Sequence, residues 1–326
     1  MTLHSCQAGY EAFLAKELGG SARKGGAGWV LGPDAPPGRE LCFSHLALRE
    51  PREIEGASVN ALSGSLADFF TTSTQDERFD APWPFCVESA GESGLARRAK
   101  IVAEECLQKI RGRMSRVARL AAPGRPVLGT RRGLFAYMTS FDRVFVSREA
   151  WAGGQRRMAD DPQAPSRSYL KVEEAYGILG REPEAGESVV DLGAAPGGWS
   201  YSAARRGALV AAIDNGPLKG GALHPGIAHR AEDAFKFVPE KPVDWLFCDM
   251  VEDPDRVADL LGRWLENGWC RRFVVNLKFG RRDPLALLER AERLRPRCAV
   301  FRARHLFHDR EELTLVGDVE QKAHSG

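Results

Sequence analysis

No uninterrupted apolar run in the 326-residue chain reaches the roughly 20 residues that a membrane-crossing helix needs. A membrane partner is therefore not expected. The first residues, MTLHSCQAGYEAFLAKEL, lack a basic stretch followed by an apolar one, so export is not expected and the compartment reads as cytoplasmic. Seven cysteines are scattered without a C-x-x-C, which speaks against a disulfide framework and against a zinc site. His305 and His308 form a lone H-x-x-H without further ligands at suitable spacing, so the expectation is a polar turn and no metal. Internal repeats and low-complexity tracts are absent. The net charge is only +2, so any nucleic-acid surface has to come from local clustering.

What is present is ordinary globular composition, 43% hydrophobic and 28% charged, at a length that suits two domains. The C-terminal half alternates apolar strand-like runs (188–192, 208–213, 243–249, 272–277, 298–303 and 313–316) with helical patterns. The clearest helices are 253–268 and 283–295, each opened by Asp-Pro, a cap followed by proline at the first helical position. That alternation implies a doubly wound α/β domain with a mostly parallel sheet. The link between the last two strands is too short for a crossover helix, so one of them should run antiparallel.

The first half reads as α+β. Helices are expected over 9–18 and 95–120, with strands at 83–89 and within 133–151. Residues 1–151 form one expected domain and 152–168, rich in Gly, Pro and charge, the linker to a second domain at 169–326. The long helix carries Arg97, Arg98, Lys100, Lys109, Arg111, Arg113, Arg116 and Arg119 against Glu104 and Glu105. Its basic side is either a solvated face or a surface that tracks phosphates, and Arg148, Arg156, Arg157 and Arg167 around the linker add to the second reading.

The segment DLGAAPGGWS (191–200) follows a strand and carries the chemistry. A phosphate-hydrolysing loop would need G-x-x-x-x-G-K-[ST], and the lysine is missing. The dinucleotide fingerprint would need a second glycine where Ala195 stands, followed here by Pro196. What remains is a turn of small residues, with Asp191 just before it and Asp214 at the end of the next strand, where a ribose diol would lie. Carboxylates there repel a pyrophosphate and tolerate a cationic methyl donor. Polar residues at other strand ends then become candidate chemistry: Asp249 after VDWLFC, Lys278 after RFVVNL, Glu312 opening ELTLV, and Lys171 on a helix leading to the first strand. Two ammonium groups side by side would lower a lysine's pKa toward proton-accepting range.

DLGAAPGGWS, with SRSYLK upstream and CDM, NLK and REELT downstream, resembles the FtsJ-type (RrmJ-like) 2'-O-ribose RNA methyltransferases, a Rossmann-like fold using S-adenosylmethionine and a Lys-Asp-Lys-Glu tetrad. Blocks such as APSRSYLKVEEAY, AIDNGPL, EDAFKF, CDMVEDP and ARHLFHDREELTL are similar to the RlmM family, which methylates the ribose of a cytidine in 23S rRNA. The resemblance implies a tetrad of Lys171, Asp249, Lys278 and Glu312, with Lys278 accepting the proton. It implies a donor site of Ser168, Ala195, Pro196, Gly197, Gly198, Asp214, Asp233 and Asp249, and an RNA-binding N-terminal region with a THUMP-like domain. FGRRDP after Lys278 departs from the family's usual Leu-Pro-Met-Lys-type stretch, which bears on the target nucleotide. Another rRNA position, a tRNA, and an inert RNA-binding assembly protein stand as alternatives.

Overall fold

The computed structural model describes residues 1–22 and 24–319. Its contacts divide the chain into two compact units, Met1–Gly154 and Gln155 onward.

The first unit is built from β1 (Thr2–Ser5), α1 (Glu11–Glu17), β2 (Lys24–Gly26), β3 (Trp29–Gly32), β4 (Leu46–Arg49), β5 (Arg52–Glu55), α2 (Val59–Ser73), β6 (Trp83–Ser89), α3 (Leu95–Arg113), α4 (Ser115–Arg119), β7 (Ala121–Pro123), β8 (Gly129–Met138) and β9 (Arg143–Ala152). The sheet runs β2-β3-β1-β4-β9-β8-β6-β7, with β5 pairing on β9. Helices α2 and α3 pack on each other over a core that includes Leu66, Phe70, Val102, Cys106 and Phe135. Leu95, Ala99, Val102, Cys106 and Ile110 bury one stripe of α3, the expected helical periodicity. The helix expected to continue to 120 instead breaks at Met114 (φ −138°, ψ 64°) and restarts as α4. The first five strands and α2 carry no signal strong enough to have been read from sequence.

The second unit contains α5 (Tyr169–Leu179), β10 (Ser188–Leu192), α6 (Gly198–Ala204), β11 (Leu209–Ile213), β12 (Ile227–Arg230), β13 (Val243–Cys248), α7 (Pro254–Glu266), β14 (Cys270–Lys278), α8 (Pro284–Glu292), β15 (Cys298–Arg304) and β16 (Glu312–Val319). The order is β12-β11-β10-β13-β14-β16-β15. All neighbours from β12 to β14 are parallel, and β16 runs antiparallel to both β14 and β15. This is the mixed Rossmann-like sheet, and the short link before β16 is why that strand reverses. Asp253 and Asp283 each cap their helix by accepting a backbone N–H two residues on.

From Gln155 the segment read as linker is fastened to the second unit. Met158 N–H donates to His308 Nε2, Tyr201 Oη donates to Asp161, and Gly221 N–H donates to the Gln163 carbonyl. Buried Glu174 of α5 accepts the backbone N–H groups of Arg156, Phe307 and His308, pinning this segment and the β15–β16 loop to one helix. The reversal of β16 decides the site, because it brings the first residue of that strand to the edge where the parallel strands end.

Candidate active site

Parallel strands place their carboxyl ends on one edge, and ligands of such sheets bind there. Asp249 follows the last residue of β13, and Lys278 is the last residue of β14. Glu312 is the first residue of antiparallel β16 and pairs in register with Lys278. Lys171, in the first turn of α5, reaches the same point. Its Nζ donates to Asp249 Oδ1 and Oδ2 at 3.1 and 3.2 Å and to Glu312 Oε2 at 3.0 Å. Lys278 Nζ donates to Asp249 Oδ1 at 2.5 Å and to Glu312 Oε2 at 3.0 Å. Four charged residues that sequence could only suspect of convergence form one closed cluster.

Its electrostatics differ from the expectation of a depressed lysine. Burial alone would lower the Lys278 pKa, but Asp249 and Glu312 outweigh it and hold the ammonium above its ordinary value. The reason is arrangement: Lys278 Nζ lies between two carboxylates, 2.5 Å from Asp249 Oδ1 and 3.0 Å from Glu312 Oε2. Burial likewise pushes Glu312 up, and Lys171 and Lys278 overcome that and bring its pKa below the ordinary value. Side-chain exposure is 20% for Lys278 against 11% for Lys171, 14% for Asp249 and 8% for Glu312, so Lys278 is the most exposed of the four.

The glycine-rich turn lies beside this cluster. Gly193 has φ +75°, and a Cβ there would lie 2.3 Å from Met250 Cγ, so the turn presses against the residue that follows Asp249. A Cβ on Gly198 would lie 2.8 Å from both the Ser166 and Ser168 hydroxyl oxygens, which are 2.7 Å apart. Ser168 is thereby placed against the turn. Its carbonyl also accepts the Trp199 indole N–H at 2.9 Å. The peptide between Ala195 and Pro196 is cis. Asp214 accepts the backbone N–H groups of Ala195 and Gly216 at 2.9 and 2.7 Å, so the carboxylate expected to face a ribose also braces the turn. Asp233 lies in an exposed loop after β12, where it accepts the Phe235 N–H at 2.9 Å and meets Lys236 at 3.6 Å. Small residues and acidic groups fit a sulfonium nucleoside and would repel phosphates.

Asp191, named in the sequence only as a nearby carboxylate, is fully buried and accepts the Ser200 hydroxyl at 2.6 Å. Burial pushes its pKa up to about 7. Asn276, Thr314 and Asp309 were missed. Asn276 Nδ2 donates to Asp249 Oδ1 at 3.0 Å, directly beneath the cluster. A signal did exist: NLK and ELT place Asn276 and Thr314 two residues from Lys278 and Glu312, hence on the same strand face.

The departure FGRRDP has a local explanation. Phe279 is buried, while Arg282 pairs with Asp253 and Asp255 at 2.6 Å each and ties the loop after Lys278 to the start of α7. His305 Nε2 lies 2.9 Å from the Arg310 carbonyl and His308 Nε2 takes the Met158 N–H, so backbone groups occupy both rings. Among the described residues no helix is long and apolar enough to cross a membrane.

The family model for FtsJ-like methyltransferases matches residues 164–261, so this sheet, with its glycine-rich turn beside a Lys-Asp-Lys-Glu cluster, is that of an S-adenosylmethionine-dependent methyltransferase. The Ribosomal RNA large subunit methyltransferase M of Laribacter hongkongensis is 36% identical over 313 residues, covering 89% of this chain and 86% of the relative. The protein of that name from Chromohalobacter salexigens is 32% identical over 95% of both chains. The one from Halorhodospira halophila is 46% identical over 173 residues, about half of each chain. The chain belongs to the ribosomal RNA large subunit methyltransferase M family.

Proposed function

We propose that the chain transfers the methyl group of S-adenosylmethionine to the 2'-hydroxyl of a cytidine ribose in 23S rRNA, in the cytoplasm. The observation that carries this reading is the convergence of Lys171, Asp249, Lys278 and Glu312 beside the glycine-rich turn. The names of the full-length relatives support the rRNA substrate. A 2'-hydroxyl is what distinguishes RNA from DNA at a ribose, so chemistry at that oxygen requires RNA.

S-adenosylmethionine supplies an electrophilic methyl carbon when bound. The turn 195–198, Ser168, Asp214, Asp233 and Asp249 would hold it. Lys278, the most exposed of the four, would contact the 2'-oxygen and take its proton as that oxygen accepts the methyl group, the donor's S–C bond breaking to leave S-adenosylhomocysteine. Only the neutral amine can do so, and Asp249 and Glu312 hold the side chain as an ammonium. Lys278 must therefore give up a proton before each turnover. Lys171 and Glu312 fix Asp249 and Lys278 in position, which limits the orientations lost to the reaction.

The first unit supplies RNA binding in this reading, as a THUMP-like α+β module. Support comes from its basic helix. Arg113 of α3 pairs with Asp68 and Lys109 with Asn60, both on α2. Arg97, Lys100, Arg111 and Arg119 stay exposed. Mapping 2'-O-methyl groups on rRNA from a strain lacking the gene, with and without complementation, tests the proposal. Loss and recovery of one modified cytidine in 23S rRNA is expected, and an unchanged map would overturn it.

A further inference from the structure

Beneath the four charged side chains lies a second layer of polar groups that the methyl-transfer reading leaves unused. Asn276 and Thr314 are fully buried and Asp309 is 3% exposed. Asn276 and Thr314 face each other in register across β14 and β16, one alternation below the Lys278–Glu312 pair. Thr314 Oγ1 lies 2.7 Å from Asn276 Oδ1, and 3.1 and 2.9 Å from Asp309 Oδ1 and Oδ2.

Counting donors settles which way each bond runs. Asn276 has one nitrogen and one oxygen on its amide. The group facing Asp249 Oδ1 at 3.0 Å and Glu312 Oε2 at 3.4 Å must be the NH2, because an amide oxygen there would face two carboxylates. Its oxygen therefore faces Thr314 and can only accept. The single hydroxyl hydrogen of Thr314 is used in that bond. Thr314 Oγ1 is then left as an acceptor toward Asp309, which needs a hydrogen of its own to make the contact. Asp309 Oδ2 already accepts the Leu306 N–H at 2.9 Å, consistent with the hydrogen sitting on Oδ1.

We infer that Asp309 is a neutral carboxylic acid, and that Asp309, Thr314 and Asn276 form a directional hydrogen-bond relay that positions Asp249 and Glu312 for methyl transfer. The three are positioning residues and touch no substrate. Burial, followed by the negative charge of Glu312, pushes the Asp309 carboxyl well above the ordinary range, in agreement with the donor count. Glu174 adds to that push and Lys171 opposes it. A carboxylate at Asp309 would leave two oxygens facing each other without a hydrogen and would free the Asn276 amide to turn. The positioning role rests on the proposed function; the protonation state does not.

Infrared difference spectra of wild type minus Asp309→Asn at neutral pH test the proton directly. A lost carboxylic-acid C=O band is expected, and lost carboxylate bands would overturn the inference. Methyl transfer tests the relay. Thr314→Val should lower kcat about 10-fold or more, the order of a hydrogen bond to a charged network, with donor affinity within about 3-fold. Thr314→Ser and Asp309→Asn keep every donor and acceptor, and both should stay within about 3-fold of wild type in kcat. Full kcat in Thr314→Val, or equal losses in Asp309→Asn and Thr314→Val, would refute the relay. Wild type inactive on rRNA would refute the functional reading and leave the infrared result standing.

Discussion

Lys278 and Glu312, the last residue of β14 and the first of β16, face each other across one antiparallel rung, their side chains joined at 3.0 Å. Asp249 closes the other side of the same ammonium at 2.5 Å. Between two carboxylates, Lys278 is protonated throughout the physiological range. The neutral amine is then a small fraction that grows with each unit of pH. The single-turnover rate of methyl transfer should rise about tenfold per pH unit across pH 6–9, without a plateau. A flat profile measured over that range would exclude Lys278 as the proton acceptor.

Two buried carboxylates should give stability opposite dependences on pH. Asp191 titrates at about 7 in the fold and near 3.9 when unfolded. Between those values the folded state keeps a proton that the unfolded chain releases, so stability falls as pH rises through the window and levels off above it. Glu312 is shifted down, so its contribution is present above the ordinary carboxylate pKa and is lost as pH falls through its folded value. Thermal unfolding against pH should show a flatter decline between about pH 4 and 7 for Asp191→Asn. Glu312→Gln should lose less stability on further acidification than wild type does.

Gly193 couples the turn to the Asp249 loop. An alanine there would adopt φ +75° and push its Cβ to 2.3 Å from Met250 Cγ, a strain of roughly 1–3 kcal/mol. Calorimetry should find S-adenosylmethionine affinity reduced about tenfold or more in Gly193→Ala, following that strain. Unchanged affinity would mean that donor and turn do not meet.

The basic residues of the first unit separate into two kinds. Arg148 was expected to join a phosphate-facing group. Instead, it donates to the Gly133 carbonyl at 2.5 Å, pairs with Glu77 at 2.9 Å and lies 4.9 Å from the Phe70 ring. Arg148→Ala should cost about 2–3 kcal/mol in denaturant unfolding through lost packing and hydrogen bonds. Arg111→Glu with Arg119→Glu should leave stability unchanged, weaken RNA binding and flatten its salt dependence.

Where local pattern and global fold agreed, the sequence was sufficient. The bounds of β10 and the capped starts of α7 and α8 follow from apolar runs and Asp-Pro signals. Strand ends also named Asp249 and Lys278, since a polar residue closing a buried parallel strand has only the sheet edge to occupy; Glu312 was named from the start of the last strand and Lys171 from the helix before the first one. Their pairing was beyond reach, because the sign of the Lys278 shift depends on distances between β13, β14, β16 and α5. Asn276 and Thr314 share a strand face with Lys278 and Glu312, but a buried Asn or Thr in a strand looks like any polar core residue until its partner is known, and Asp309 lies in the loop before β16, where no such alternation marks it. Edge strand β12, with three of its four residues exposed, lacks the apolar run that marks its neighbours.

The central claim is that Lys278 acts on a ribose hydroxyl while the glycine-rich turn separately holds the donor. The most direct measurement is radiolabelled methyl transfer to 23S rRNA by wild type and Lys278→Ala, with nucleoside analysis of the product and donor affinity measured in parallel. Wild type should yield 2'-O-methylcytidine, and Lys278→Ala should yield none while binding S-adenosylmethionine with unchanged affinity. Full transfer by the variant, or label on a base rather than a ribose, would contradict it.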